Sequence, residues 1–307
     1  MDWQAGIGDA AERIAGHARV TPVARLTLGG FDVEVKLEQM QHTGSFKARG
    51  AFNTLRSAAV PEAGVVAASG GNHGAAVAYA AASLGHPAHV FVPEVAGPSK
   101  VALIRRAGAE CHIVPGLYAD ALEAARAWEA ETGAMQVHAY DAPETVCGQG
   151  TCFAEWEAQG LAADTVLVAV GGGGLIAGAL GWLGGRRRIV AVEPERSRAL
   201  HAALAADAPV DVEVGGVAAD ALGARRIGEI CFGLARASAD GLQSVVVTDA
   251  AIVAAQAVLW REARQWVEPA GACALAALLS GAYRPAPGER VAVLVCGANP
   301  APDPSGT

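Results

Sequence analysis

Lys47 is the residue of this chain best placed to do chemistry. It lies in Gly44-Ser45-Phe46-Lys47-Ala48-Arg49-Gly50-Ala51, among small residues and directly after an aromatic ring. Partial burial of an amine disfavours its charged form, lowers its pKa and frees the nitrogen to condense with a carbonyl compound. Two further segments concentrate small and polar residues: Ser69-Gly70-Gly71-Asn72-His73-Gly74 and Gly171-Gly172-Gly173-Gly174-Leu175-Ile176-Ala177-Gly178. A glycine run between a strand and a helix points backbone N–H groups at one spot and makes an anion cradle. By itself that run also suits a dinucleotide, with Glu193 at the end of the next strand, at a spacing suited to a ribose. By itself Ser69–Gly74 also reads as a serine-capped helix start.

These motifs need elements to position them. Short β-branched runs predict strands at Val33–Leu37, Gly64–Ala67, Ala88–Val92, Cys111–Val114, Met135–His138, Thr165–Val170, Ile189–Glu193 and Val291–Val295. Alanine-rich stretches between them predict helices over Phe46–Thr54, Asn72–Leu84, Ser99–Ala107, Tyr118–Glu131, Cys147–Gln159, Leu175–Gly184, Asp249–Trp266 and Ala270–Ser280, the seventh capped by Thr248. The alternation reads as an α/β fold with two open, mostly parallel sheets and helices on both faces. Ser69, Gly171 and Cys296 each follow the carboxyl end of a predicted strand, where open parallel sheets bind ligands.

The 307 residues suit one large or two modest domains, and 52 % hydrophobic content supplies a sizeable core. A net charge of -8 without a basic block argues against nucleic acid or an anionic membrane as partner. Apolar runs are broken well short of a membrane span, and the acidic, amphipathic N-terminus does not read as a signal peptide. The six cysteines form no C-x-x-C pair and no zinc-type cluster, so reduced thiols in the cytoplasm are expected and no metal. Asn299 to Thr307 reads as a frayed tail.

With the motifs assembled, residues 20 to 299 resemble the fold-type II pyridoxal-phosphate enzymes, whose fold is tryptophan synthase β-like, and within them the serine/threonine dehydratase (threonine deaminase-like) group. The resemblance implies a Schiff base between Lys47 and pyridoxal 5'-phosphate, with Phe46 against the ring. It gives the phosphate to Gly171, Gly172, Gly173, Gly174 and Leu175, and the ring's 3′-oxygen to Asn72. Ala221, in Ala219-Asp220-Ala221-Leu222-Gly223, would cover the ring, and Glu268, in Glu268-Pro269-Ala270-Gly271-Ala272, would lie beside it. Cys296 would face the pyridine nitrogen as a neutral partner, which favours β-elimination. Ser69, Gly70, Gly71, Asn72 and His73 would hold the substrate carboxylate. The dinucleotide alternative then gives way to a phosphate on a pyridine.

With the turn at Asp141-Ala142-Pro143, the resemblance divides the chain into a large cofactor-binding domain, 1–51 and 142–307, and a small domain, 52–141. It implies a cytoplasmic homodimer acting on a small amino acid: a lyase converting a β-hydroxy amino acid, most simply L-threonine or L-serine, to a 2-oxo acid and ammonia. Elimination or replacement on a hydroxyaspartate or phenylserine type, serine racemisation, and a nicotinamide-dependent oxidoreductase are the alternatives. Two positions depart from the racemase pattern. Gly70 stands where those relatives carry a serine, so a serine there is expected to raise racemisation. Ala199 stands where their divalent-metal motif has an aspartate.

Lys47→Ala is expected to abolish the borohydride-fixed cofactor adduct and essentially all elimination. Peptide mass spectrometry locates the adduct; finding it on Lys36 or Lys100 would overturn the assignment.

Overall fold

The computed structural model describes residues Met1–Asn299. Its strands are β1 (Val23–Leu28), β2 (Phe31–Leu37), β3 (Val65–Ala68), β4 (Ala88–Pro93), β5 (Glu110–Val114), β6 (Met135–Gln136), β7 (Thr165–Ala169), β8 (Arg188–Pro194), β9 (Leu242–Val247) and β10 (Val291–Val295). They form two sheets, one of order β1-β2-β10-β7-β8-β9 and one of order β5-β4-β3-β6. Every pairing is parallel except β1 with β2. β3, β7 and β10 are buried along their whole length, as parallel strands covered on both faces must be.

Two strands, β1 and β9, were not anticipated from sequence, whereas β2 contains the predicted Val33–Leu37. β1 and β2 flank Gly29-Gly30, both at positive φ, in a tight hairpin turn. β9 opens with Leu242-Gln243-Ser244, whose polar residues hide it, and it is placed by parallel pairing with β8. The predicted helix over Asp249–Trp266 ends earlier, at Ala263, where Arg264 adopts a left-handed conformation and reverses the chain toward Glu268. Thr248 caps that helix as expected, its Oγ1 accepting the Ala251 N–H at 3.2 Å.

Three helices that matter for the site cross at backbone contact. A Cβ on Gly148 would fall 2.6 Å from Gly50 Cα, and one on Gly178 would fall 2.6 Å from Gly150 N. Only glycine allows that approach. The helix Lys47–Ser57 is thereby set against Pro143–Ala158, which is set against Gly174–Leu183. The lysine and the glycine run thus start from one rigid layer.

A buried ion network braces the same layer. Arg49 Nε donates to Glu38 Oε1 at 2.5 Å and its Nη2 to Glu155 Oε2 at 2.9 Å. Lys36 Nζ donates to Glu155 Oε1 at 2.6 Å, Gln159 Oε1 at 2.7 Å and the Thr21 carbonyl at 2.9 Å, so all three of its hydrogens are used. Lys36 is a structural cation and no rival to Lys47. Among the described residues, no helix is long and apolar enough to cross a membrane.

Removing one partner of a buried pair leaves the other charge stranded. Arg49→Met is expected to lower folding stability by about 3–5 kcal/mol, read by urea denaturation, because Glu38 is completely buried. Unchanged stability would show that the network contributes nothing net.

Candidate active site

The loop before Lys47 is clasped to the end of β10. Phe46 N–H donates to the Cys296 carbonyl at 3.2 Å, and Ala298 N–H donates to the Gly44 carbonyl at 2.8 Å. Ser45 and Gly297 form the antiparallel bridge between them. Lys47 therefore begins its helix beside the Cys296 thiol. Its half-buried Nζ donates to the Ala139 carbonyl at 2.6 Å and lies 5.2 Å from the Phe46 ring centroid. Burial lowers the amine's pKa to about 8, with Cys296 opposing that fall. The Cys296 thiol is itself buried, donates to the Ala270 carbonyl at 3.4 Å, and is held protonated by desolvation and by Glu268.

The loop after β3 meets this clasp from the other side. Asn72 Nδ2 donates to Glu268 Oε1 at 2.6 Å, and Asn299 Nδ2 donates to Asn72 Oδ1 at 2.7 Å. Asn299 also donates to the Thr43 carbonyl at 2.7 Å, holding Thr43 and Gly44 at positive φ. Burial raises Glu268 to about 7. Ser69 Oγ accepts the Gly71 N–H at 3.2 Å, and Gly71 itself is the helix N-cap, so the reading of a serine cap is corrected. His73 Nε2 lies 2.9 Å from the Val137 carbonyl, which can only accept, so that nitrogen carries the proton. Burial and the neighbouring Lys47 lower His73 to about 3, and the ring is neutral.

Gly171–Gly174 leads from β7 into the helix Gly174–Leu183, whose first amides have no intrahelical partner. A Cβ on Gly172 would fall 2.3 Å from the Tyr140 ring, and one on Gly171 would fall 3.0 Å from Leu222 Cα and 3.3 Å from the Ala221 carbonyl. Leu175 is buried in the first turn, and Ala221 lies half-buried in the short helix Ala219–Leu222. A Cβ on Gly71 would face the Asp220 carbonyl at 3.5 Å, so the asparagine loop, this helix and the glycine run adjoin. Lys100 Nζ to Asp220 Oδ2, 2.7 Å, ties the same helix to the four-stranded sheet's side of the molecule.

The sequence matches the pyridoxal-phosphate dependent enzyme family over residues 14–297. The chain belongs to that family. It is 38 % identical over 296 residues to a phenylserine dehydratase of Ralstonia pickettii, covering 94 % of this chain and 90 % of that one. It is 34 % identical over 275 residues to an L-threonine ammonia-lyase of Thermotoga maritima, covering 88 % and 68 % of the two chains. Maize serine racemase superposes with a TM-score of 0.90 at 32 % identity, covering 96 % of this chain and 93 % of that one. This family membership makes the protein a pyridoxal-phosphate-dependent lyase with a fold-type II architecture.

The residues present fit that cofactor. A Cβ at any of Gly171 to Gly174 would run into Leu222, Tyr140 or Cys231, so only glycine fits there, and no side chain at these positions covers the amides at the start of the helix. Asn72 keeps one amide hydrogen after its bond to Glu268. Ser45 Oγ is buried without a hydrogen-bond partner among the described residues, two positions before the lysine.

Several expectations change. Asn299 is fastened into the site and is no frayed end, while the rest of that tail, 300–307, lies outside the described residues. Glu193 is fully buried, and its carboxylate accepts the Leu200 and His201 N–H groups at 2.8 and 2.7 Å as a helix cap. A ribose could not reach it. A Cβ on Gly70 would fall 2.5 Å from Ala96 Cβ and against Val92 and Pro93. A serine there would point into its own sheet's loop, and the expected gain in racemisation loses its geometric basis. The parts sequence reasoning missed are Ala139, Tyr140 and Asn299, since a carbonyl, a ring packed on glycine and a terminal amide carry no motif.

A lysine whose pKa is lowered is deprotonated above the lowered value and protonated below it. Schiff-base formation between the cofactor-free protein and pyridoxal phosphate should therefore accelerate through a midpoint near pH 8, below the ordinary 10.5 of lysine. Stopped-flow visible absorbance measures it, and a rate still climbing tenfold per pH unit well above 8 would contradict the burial reading.

Proposed function

We propose that this protein is a dehydratase that converts a β-hydroxy amino acid, L-threonine or L-serine in the simplest case, to a 2-oxo acid and ammonia. The observation that carries the reading is the buried Cys296 thiol beside Lys47, an amine held by the Ala139 carbonyl and lowered by burial to about 8. Pyridoxal phosphate, held by Lys47, Asn72, Cys296 and the amides of Gly171 to Leu175, would supply an electron sink for the substrate's α-carbon. The chain's own residues do the rest. Lys47 Nζ, as the free amine, would take the α-proton as general base. Ser69 and the amides of Gly70 to His73 hold the carboxylate. Phe46 and Ala221 confine the ring, and Glu268 fixes Asn72. Cys296, neutral, would offer the pyridine nitrogen no charge to hold a proton, a weaker electron sink that would favour loss of the β-hydroxyl.

In this reading residues 52–141 are the smaller domain and 1–51 with 142–307 the larger, with the reaction between them. The protein works as a cytoplasmic homodimer, which sedimentation equilibrium tests; its cysteines, free among the described residues, suit a reducing compartment. A second reading, a phenylserine-type substrate, is favoured by the Ralstonia relative, which matches nearly the whole of both chains.

Release of 2-oxo acid from L-threonine, L-serine and phenylserine, compared as kcat/KM, decides between the two. No release from any β-hydroxy amino acid would overturn both. Cys296→Ser is expected to retain most activity, because a hydroxyl is also neutral. Cys296→Asp is expected to suppress elimination; an aspartate variant as fast as the parent would mean that residue 296 does not face the ring nitrogen.

A further inference from the structure

The four-stranded sheet carries a second cluster of ligand-type side chains that the reaction does not use. His89 stands on β4, and Glu110 and His112 on the neighbouring strand β5. The register pairs His89 with Glu110 and Phe91 with His112, so all four side chains share one face. Cys111, between the two β5 ligands, points to the opposite face and packs in the core there. His89 Nδ1 lies 3.2 Å from His112 Nε2, 3.7 Å from Glu110 Oε2, and His112 Nε2 lies 3.8 Å from Glu110 Oε1. A tetrahedral ion with bonds of about 2.0 Å holds its ligand atoms roughly 3.3 Å apart. The two imidazole nitrogens already stand at about that spacing, each faces its own oxygen of the Glu110 carboxylate, and one ligand atom from each of the three residues lies within 4.8 Å of the others.

The surroundings suit an ion as well. Trp128, from the helix Tyr118–Thr132, puts its ring 4.6 Å from His89 and 5.2 Å from His112, and Phe91 stacks on His112 at 4.6 Å. These rings restrict both imidazoles on one side while Glu110 stays open to solvent. Trp128 Nε1 is buried and finds no acceptor among the described residues. Two imidazoles and one carboxylate are borderline ligands. They select Zn²⁺ and its neighbours over Mg²⁺ or Ca²⁺, which prefer all-oxygen sets.

We propose that His89, Glu110 and His112 bind a Zn²⁺-class ion, with one coordination position left to water, at a site separate from the lysine centre. The ion staples the edge strand β5 to β4, whose Phe91 carbonyl accepts the Ser69 N–H at 3.0 Å. It thereby stabilises the sheet that carries the asparagine loop.

The test is titration of the chelator-treated holoenzyme with Co²⁺. The expected result is a saturable, one-to-one set of visible d–d bands of tetrahedral intensity that Zn²⁺ displaces, with a rise in melting temperature on adding Zn²⁺. His89→Ala and His112→Ala, each checked for fold by circular dichroism, should weaken binding by at least about tenfold. Glu110→Gln, on an exposed position, gives a milder variant and should also weaken it. Co²⁺ should quench the emission that Trp128→Phe removes. Absence of saturable binding, or equal binding by parent and both histidine variants, would overturn the proposal. Intense sulfur-to-metal charge-transfer bands would do so too, by moving the ion to the thiols.

Discussion

The site depends on a two-bond clasp between the lysine loop and the end of the central strand β10. Gly44 to Phe46 run antiparallel to Cys296 to Ala298, and this short pairing fixes where the helix of Lys47 can begin. The clasp leaves no slack. A Cβ on Gly297 would fall onto Glu268 Oε1, and one on Gly44 would fall 2.6 Å from Asn299 Oδ1. Thr43 sits at φ 60, an uncommon conformation for a residue with a side chain, and is kept there by Asn299. Local strain, close approach and amide hydrogen bonds are thus concentrated within a few residues of the reactive amine.

The turn from His138 to Asp141 ties the clasp to the phosphate-type cradle. Ala139 accepts from Lys47, Tyr140 lies over Gly172, and the Asp141 carboxylate caps the helix Glu229–Ala237 through the Glu229 and Ile230 N–H groups. His138 Nδ1 accepts the Tyr140 and Asp141 N–H groups and shapes the turn. Burial then acts towards neutrality on four groups of the site. It lowers Lys47 and His73 and raises Glu268 and Cys296. Each shift favours the uncharged form. These four groups bring little fixed charge, so in the proposed reading the charges of a phosphate and a carboxylate would be met mainly by backbone N–H groups.

What could be read from the sequence follows what local chemistry can encode. The strand-then-glycine pattern at Gly171 and the strand-then-cysteine pattern at Cys296 are contiguous, and their carboxyl-end location was legible because parallel sheets put ligands there. The small and aromatic neighbours that single out Lys47 are contiguous in sequence. Its bond to Ala139 was not legible, because residues 47 and 139 meet only through the sheet order. Arg49 and Glu38 are buried partners, a pairing that neither the lysine motif nor periodicity announces. Glu193 looked ribose-directed because its spacing was right, yet its strand is covered on both faces and its carboxylate is consumed by a helix N-terminus. β9 was hidden by its polar start, and Asn299 by the proline-rich residues after it.

The contact between Gly70 and Ala96 has an evolutionary consequence. The turn Glu94–Ala96 sits against the loop so closely that the methyl of residue 96 occupies the space a side chain at 70 would need. A hydroxyl at position 70 is therefore inaccessible in a single substitution without displacing backbone. The order of change is constrained: residue 96 or its turn must give way first, and that first step brings no catalytic advantage by itself. A side chain at 70 and the methyl at 96 exclude each other, so substitutions at the two positions should not be additive, even though only one of them belongs to the loop.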